Sequence, residues 1–175
     1  MARHRPRLMP VARLASVPGA RFGHPAIGAA VAWLVLDRRG GPRRRVVVPL
    51  AAASLGAIAA HYGVKLFYRR PRPRAALRRG KREPAYPSGH TADATAVLAT
   101  SAYLLVREDV ASAGVAIPVA AALAAATGWS RVALGWHWGS DVVGGWLAGL
   151  GVAAGCAAGY EWLSDDSGSR VLQRS

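Results

Sequence analysis

Long apolar stretches alternate with short polar segments along this chain of 175 residues. Four of the stretches have 16 to 20 residues and together carry one formal charge, that of Asp93: residues 46–64, 91–106, 110–129 and 142–160. Each is close to the roughly 20 residues that a helix needs to cross a bilayer. A fifth stretch, residues 25–36, has only 12 residues and is a weaker candidate.

A buried helical bundle in a soluble protein would also contain long runs of Ala, Val and Leu. Such a bundle needs amphipathic helices to cover it, and this chain has little amphipathic sequence left for that purpose. We therefore predict an all-α fold, a polytopic membrane bundle of about five spanning helices with its functional site at one membrane face. Residues 22–162 would form the membrane-embedded domain. Residues 1–21 would be a basic arm, interfacial or partly disordered, and residues 163–175 a polar tail.

The chain is strongly basic, with 23 Lys and Arg residues, nine acidic residues and a formal net charge of +14. Such a balance suggests nucleic acid, a membrane surface or an anionic substrate as a partner. The arginines cluster at residues 3–21, 38–45 and 69–82, apart from the apolar stretches. A nucleic-acid-binding protein would interleave basic and apolar positions. We therefore expect membrane lipids and an anionic substrate as partners, and no nucleic acid.

Consecutive spanning helices run in opposite directions, which decides where their connections lie. Residues 69–89 and 130–141 then share one side of the membrane, and residues 107–109 lie on the other. The two segments that share a side are rich in Gly, His, Ser, Arg and Trp. The pattern therefore predicts that the reactive side chains of the protein gather at a single membrane face.

Three short islands carry these side chains: KLFYRRPRP at residues 65–73, PSGH at 87–90 and SRVALGWHWGSD at 130–141. In the second island Ser88 is a candidate helix cap, with His90 in the first turn of the helix. A helix N-terminus attracts anions, because its first N–H groups are unpaired and its dipole is positive there. Taken alone, this island is more typical of a simple loop-to-helix junction with a capping serine.

The third island has the spacing of a histidine oriented by a carboxylate. His137 and Asp141 are four residues apart, so they share a face if one helical turn connects them. If the helix begins at Ser140 instead, Asp141 can still fold back to the imidazole. In either case Asp141 would bind one ring nitrogen and leave the other as a nucleophile, with His90 as a proton donor. Two histidines and an aspartate could also hold a metal. The many arginines nearby would repel a divalent cation and attract a phosphate-like anion, so we expect no metal and no cofactor.

Together the islands resemble the signature of the type 2 phosphatidic acid phosphatase and vanadium haloperoxidase superfamily. The matching pattern is Lys65-x6-Arg72-Pro73, then Pro87-Ser88-Gly89-His90, then Ser130-Arg131-x5-His137-x3-Asp141. All eleven signature positions match in order, which makes a chance match negligible. The resemblance covers residues 65–141, and the surrounding helices fit the membrane branch of the superfamily.

The resemblance implies a role for each matching position. His137 would be the nucleophile that forms a phosphohistidine, Asp141 would orient it, and His90 would be the general acid and then the base. The phosphoryl oxygens would be bound by five further residues: Lys65, Arg72, Ser88, Gly89 through its amide, and Arg131. The superfamily requires no metal for phosphatase activity.

The resemblance also implies an integral membrane phosphatase acting on a lipid phosphate or diphosphate. Polyprenyl diphosphate, a polyprenyl-phosphate sugar phosphate, phosphatidic acid and phosphatidylglycerol phosphate all fit the signature. The Ala, Arg and Gly usage favours a bacterial cell membrane, and the family pattern places the site outside the cytoplasm. Three alternatives stay open: a lipid phosphotransferase using the same phosphohistidine, a vanadate-dependent haloperoxidase, and a non-catalytic basic membrane protein that binds anionic lipids.

Several other residues have two interpretations each. Asp93 either contacts His90 and keeps it protonated or stabilises the helix dipole. His61 is a buried structural histidine or a member of the site. The tryptophans at 129, 136 and 138 form an interfacial belt or line a lipid path. The Gly-x3-Gly spacings in residues 145–159 serve intramolecular helix packing or a homodimer.

Overall fold

The computed structural model describes the backbone of residues 8–39 and 43–172, with all side chains of those residues except Arg43 and 165–172. The described chain is helical, and a short 3-10 turn, Val17–Gly19, follows its first helix. The α-helices are α1 Met9–Ala15, α2 Gly23–Arg39, α3 Arg43–Phe67, α4 Arg74–Arg78, α5 Gly89–Arg107, α6 Ala113–Ala133 and α7 Gly139–Leu172.

The long helices correspond to the five apolar stretches, and the predicted all-α membrane bundle is confirmed. Among the described residues, three helical segments are long and apolar enough to cross a membrane: Arg44–Phe67, Ala113–Ala133 and Gly139–Ser164. The other two long helices are shorter or more polar. Helix α2 has 17 residues, and α5 has 19 and includes Asp93. Helix α5 needs no apolar outer surface, because its polar residues are covered by the other helices.

Helix α5 is the centre of the bundle. Thirteen of its 19 residues are buried, and it contacts α2, α3, α6 and α7. Small residues on α7 allow the closest of these approaches. A Cβ added to Gly145 would lie 2.8 Å from the Ser88 carbonyl oxygen, and one added to Gly149 would lie 2.6 Å from Cβ of Thr95. This pair of glycines therefore packs within the chain.

The rest of the glycine series on α7 faces outward. An added Cβ on Gly151, Gly155 or Gly159 would meet nothing described within 4 Å. Two halves of one sequence pattern thus lie in different environments, one against α5 and one at the outer surface of the bundle. The proposed homodimer contact through this helix stays a prediction.

The N-terminal segment lies against the end of the bundle that carries the three islands. The Thr127 hydroxyl of α6 donates to the Ala15 carbonyl at 3.0 Å, and Gly19 contacts the backbone of His90. Residues 1–7 of the predicted arm lie outside the described residues, as do 173–175 of the predicted tail. Helix α7 continues past residue 162, the predicted end of the membrane domain.

Candidate active site

The three islands meet at one end of the bundle and are joined by backbone hydrogen bonds. The Ser88 N–H donates to the Asp141 carbonyl at 2.9 Å, which ties the start of α5 to the start of α7. The Ala85 N–H donates to the Arg70 carbonyl at 2.8 Å. Residues as much as 71 positions apart are therefore held in one layer above the helix ends.

His137 is buried in this layer, in the connection between α6 and α7. Its Nδ1 lies 2.9 Å from the Ala85 carbonyl oxygen and 3.4 Å from Oδ2 of Asp141. Both neighbours are acceptors, so Nδ1 carries the hydrogen. The carbonyl makes the shorter contact, and the carboxylate makes a longer second one.

The other ring nitrogen faces a cation. Nη1 of Arg72 lies 3.1 Å from Nε2 of His137, and guanidinium groups only donate. Nε2 is therefore the acceptor and holds the lone pair. Arg72 is itself positioned by two backbone carbonyls, those of Glu83 at 2.8 Å and Trp136 at 3.0 Å. The nucleophilic face of the ring thus points to a guanidinium that could hold an anion beside it.

The electrostatic setting keeps the ring of His137 neutral. Its pKa is lowered to about 2, first because burial disfavours the charged ring and then because Arg72 and Arg131 are nearby cations. Burial also lowers the pKa of Arg72 from its ordinary value. A neutral imidazole with an unprotonated Nε2 is the form that can attack an electrophile.

Asp141 is completely buried and has two partners besides the imidazole. The Trp138 backbone N–H donates to Oδ2 at 2.8 Å, and Nη1 of Arg70 lies 3.1 Å from Oδ1. The same Arg70 nitrogen donates to the Ser140 hydroxyl at 2.6 Å. The carboxylate is therefore neutralised by Arg70, which connects the first island to the third.

The second island forms the N-terminus of α5, as predicted, although Ser88 does not cap it with its side chain. Within the described chain, the hydroxyl of Ser88 instead accepts a hydrogen bond from Thr91 at 2.9 Å. Ser88 is fully buried, and His90 is half-buried in the first helical turn. Without a side-chain cap, the first amides of the helix are available to an anion.

Arg131 closes another side of the site. It is in the last turn of α6, is 8% exposed and donates through Nη1 to the Ser16 hydroxyl at 2.6 Å. Its Nε is buried and has no hydrogen-bond partner among the described residues. Arg131 and Lys65 both act electrostatically on the rings of His90 and His137, so the two histidines share one positive environment.

A separate polar cluster lies beneath the start of α5. Nε2 of His61 is 3.4 Å from Oδ1 of Asp93, and the His61 ring lies against Gly89, where a Cβ would meet it at 3.0 Å. His24 is buried nearby on α2. Among the described residues, no three His, Cys, Asp or Glu side chains are placed to share a metal ion.

Comparison with known proteins identifies the family. The model of the PAP2 superfamily matches residues 45–165. The chain belongs to the PAP2 superfamily. A solved structure with a similar fold is the transmembrane PAP2-type phosphatidylglycerolphosphate phosphatase from Bacillus subtilis, with a TM-score of 0.78 and 24% sequence identity. The match covers 90% of this chain and 78% of that chain, and none of the curated proteins matches. The predicted family is therefore confirmed, and so is the prediction of an integral membrane protein.

The site of this PAP2 protein also includes groups that the sequence did not single out. The structure places the eight candidate site residues chosen from the signature at one end of the bundle, and adds Arg70, the Ala85 carbonyl and Ser16 to them. Arg70 stands in a run of arginines, so composition could not distinguish it from Arg69. The other two carry no sequence signal, because one is a main-chain group and the other lies 115 positions from its partner.

Proposed function

We propose that this protein is a lipid phosphate phosphatase that works through a phosphohistidine at His137. The observation that carries the proposal is the assigned tautomer: Nδ1 holds its hydrogen against the Ala85 carbonyl, and the Nε2 lone pair faces Arg72. A phosphoryl group bound by the guanidinium of Arg72 would lie directly beside that lone pair. The positive charge of the surrounding site supports an anionic electrophile.

In the first step, Nε2 attacks phosphorus and forms the P–N bond, while the bond from phosphorus to the leaving oxygen breaks. Burial, and then the nearby Arg131, lower the pKa of His90 to about 3, and the negative charge of a bound phosphate raises it again. His90 would then give a proton to that oxygen, so the departing lipid leaves as an alcohol or as a phosphate monoester. The oxygens of the transferring group carry the developing charge. Arg72, Lys65 and Arg131 would stabilise it, together with the Ser88 hydroxyl and the Gly89 amide.

In the second step, His90 takes a proton from a water molecule, which attacks phosphorus and breaks the P–N bond. Inorganic phosphate leaves, and Nε2 regains its lone pair. The contact of Nδ1–H with the Ala85 carbonyl and Asp141 stabilises the positive charge that the ring gains while it carries phosphate. No step calls on a metal or a cofactor.

A lipid substrate is supported by the position of the site at the ends of membrane-crossing helices. The headgroup can reach the cationic layer while the tail stays among the lipids. The similar Bacillus subtilis protein is named as a phosphatidylglycerolphosphate phosphatase, which makes that lipid one member of the substrate class to test. We propose a bacterial cell membrane as the location, with the site facing away from the cytoplasm.

Phosphate release by the detergent-purified protein, measured with a chelator present, tests this function. The substrates are a polyprenyl diphosphate, a polyprenyl-phosphate sugar phosphate, phosphatidic acid and phosphatidylglycerol phosphate. We expect release from at least one lipid, its loss in His137→Ala, and an acid-labile phosphoenzyme trapped only in the wild type. His137→Ala must elute as a folded protein in size-exclusion chromatography. Wild-type rates in that variant would refute the mechanism.

A further inference from the structure

A cavity of about 380 Å³ lies beside the candidate active site, between α1, the residue that follows α4, and the last turn of α6 with the loop after it. Three arginines from these three elements line it: Arg13, Arg79 and Arg131. Its size is within the range of small-molecule sites, roughly 300–1,000 Å³. Cations that converge on one space repel each other, and an anion between them relieves that repulsion.

Arg131 is the wall that the cavity and the active site have in common. Its Nη1 is held by Ser16, which also lines the cavity, and its buried Nε has no described partner. Its carbonyl accepts the backbone N–H of His137 at 3.2 Å, and its charge acts on the His137 ring. A group bound in the cavity and a phosphate bound at His137 would therefore both lie beside Arg131.

Arg79 also lines the cavity and is held in place there. Nη1 donates to the Leu134 carbonyl at 2.8 Å, and the guanidinium lies over the ring of Trp136, 5.0 Å from its centre. A guanidinium has five N–H donors in a fixed plane, so this contact still allows it to bind an anion. Arg13 approaches from α1 and is exposed. Neither Arg13 nor Arg79 belongs to the three signature islands.

We propose that this cavity binds a second phosphate of the same substrate, so that the preferred lipids carry two phosphates rather than one. The cleaved phosphate would be at His137, and its neighbour would be held by Arg13 and Arg79. A lipid diphosphate and a lipid with a phosphodiester beside a terminal phosphate share this chemistry. The inference rests on the proposed function, because the cleaved phosphate is the first anchor of the substrate.

Matched substrates isolate the second phosphate. The kcat/KM values for a polyprenyl diphosphate and the monophosphate of the same chain are measured in the wild type, Arg13→Gln, Arg79→Gln and the double variant. We expect the diphosphate-to-monophosphate ratio to fall at least 10-fold in each single variant and further in the double variant, mainly through KM. Arg78→Gln, one residue from Arg79 and outside the cavity lining, is the control and should keep the wild-type ratio. An equal loss on both substrates would overturn the proposal.

A binding measurement separates this inference from the proposed catalysis. His137→Ala protein is titrated calorimetrically with a non-hydrolysable polyprenyl bisphosphonate and with the corresponding monophosphonate. When Arg79→Gln is combined with His137→Ala, the affinity for the bisphosphonate should fall at least 10-fold more than the affinity for the monophosphonate, even if no lipid is turned over. Equal weakening would overturn the second-phosphate site whatever the assay for phosphate release shows.

The same cavity chemistry would also suit the headgroup of a separate anionic lipid. Monophosphate hydrolysis is therefore measured with and without phosphatidylglycerol in the detergent micelles. If phosphatidylglycerol does not activate the enzyme, the result supports the substrate's own second phosphate as the occupant of the cavity. Activation that Arg79→Gln abolishes would assign the cavity to a separate lipid and overturn the proposal.

Discussion

Gly19 lies directly against the backbone of His90, so close that a Cβ on Gly19 would be 2.0 Å from the His90 carbonyl oxygen. The contact joins the short turn after α1 to the first turn of α5, 71 positions along the chain. A side chain of any size at residue 19 must move one of these segments. The position of the proposed general acid therefore depends on a residue outside the signature.

Gly19→Ala should both destabilise the protein and lower its activity. Overpacking against backbone costs about 1–3 kcal/mol, because neither segment can rotate out of the way as a side chain would. We expect a lower unfolding temperature in detergent and a reduced kcat. Gly151→Ala, where an added Cβ meets nothing described within 4 Å, is the matched control. Equal behaviour of the two variants would contradict the tight contact.

Arg70→Gln should reduce activity although Arg70 is no part of the signature. Removing the guanidinium leaves the buried Asp141 carboxylate without its cationic partner, and the imidazole it accompanies becomes less well oriented. A misplacement of this kind lowers kcat/KM by about 10- to 100-fold. Arg69→Gln, an adjacent exposed arginine, serves as the control, and a similar small effect in both variants would remove Arg70 from the site.

His90→Ala should lower kcat/KM by about 100- to 10,000-fold on a lipid substrate, as expected for the loss of a general acid. The loss should be smaller with p-nitrophenyl phosphate, because p-nitrophenolate leaves without a proton. Steady-state rates on both substrates check the prediction. A loss of the same size on both would mean that His90 binds or orients the phosphate rather than protonating the leaving group.

The ring of His137 should stay neutral through the whole ordinary pH range. Its pKa is lowered to about 2. An ordinary histidine takes up a proton near pH 6.5, and His137 in the folded protein does not. Nitrogen NMR of ¹⁵N-histidine-labelled protein, with His137→Asn to assign the signal, should show no titration between pH 8 and 5. Arg72→Gln should raise this pKa, because it removes a neighbouring positive charge. A midpoint near pH 6.5 in the wild type would contradict the burial argument.

The same ring also affects stability. The unfolded chain binds a proton at this histidine below about pH 6.5, and the folded chain does not until about pH 2. The contribution of the neutral His137 ring to the free energy of unfolding is therefore fully present above pH 6.5, and it decreases as the pH falls below that value. His137→Asn should make the unfolding temperature less sensitive to pH between 6.5 and 5. An unchanged dependence of the unfolding temperature on pH would contradict this contribution from His137, because the protonation of other groups would then account for it.

The sequence was most informative where chemistry and spacing coincide. His90, His137 and Asp141 could be selected because they match the signature of the superfamily, and His137 and Asp141 also because a spacing of four residues brings two side chains together. The apolar stretches predicted the five long helices for an equally simple reason, since hydrocarbon thickness sets helix length. The central position of α5 was less visible, because its Thr and Ser residues make it look more polar than its neighbours.

Other features of the site depend on tertiary structure and could not be read from the chain. Ser88 is a residue type that often caps helices. In the structure, however, its hydroxyl accepts a hydrogen bond from the Thr91 hydroxyl, and its backbone N–H donates to the Asp141 carbonyl. The Ala85 carbonyl, rather than Asp141, makes the shorter contact with Nδ1 of His137. Main-chain acceptors of this kind have no residue identity, so a motif cannot encode them.

The Ser16–Arg131 hydrogen bond has a consequence for where this protein can be cut. The PAP2 match begins at residue 45, whereas Ser16, which binds Arg131, and Gly19, which contacts His90, lie more than 25 residues upstream. A protein trimmed to the matched region would keep all eleven signature positions and lose the only described hydrogen-bond partner of the Arg131 side chain. We therefore expect the minimal functional unit to extend well beyond the boundary that the family pattern recognises, and a fusion or tag near α1 to lower the activity.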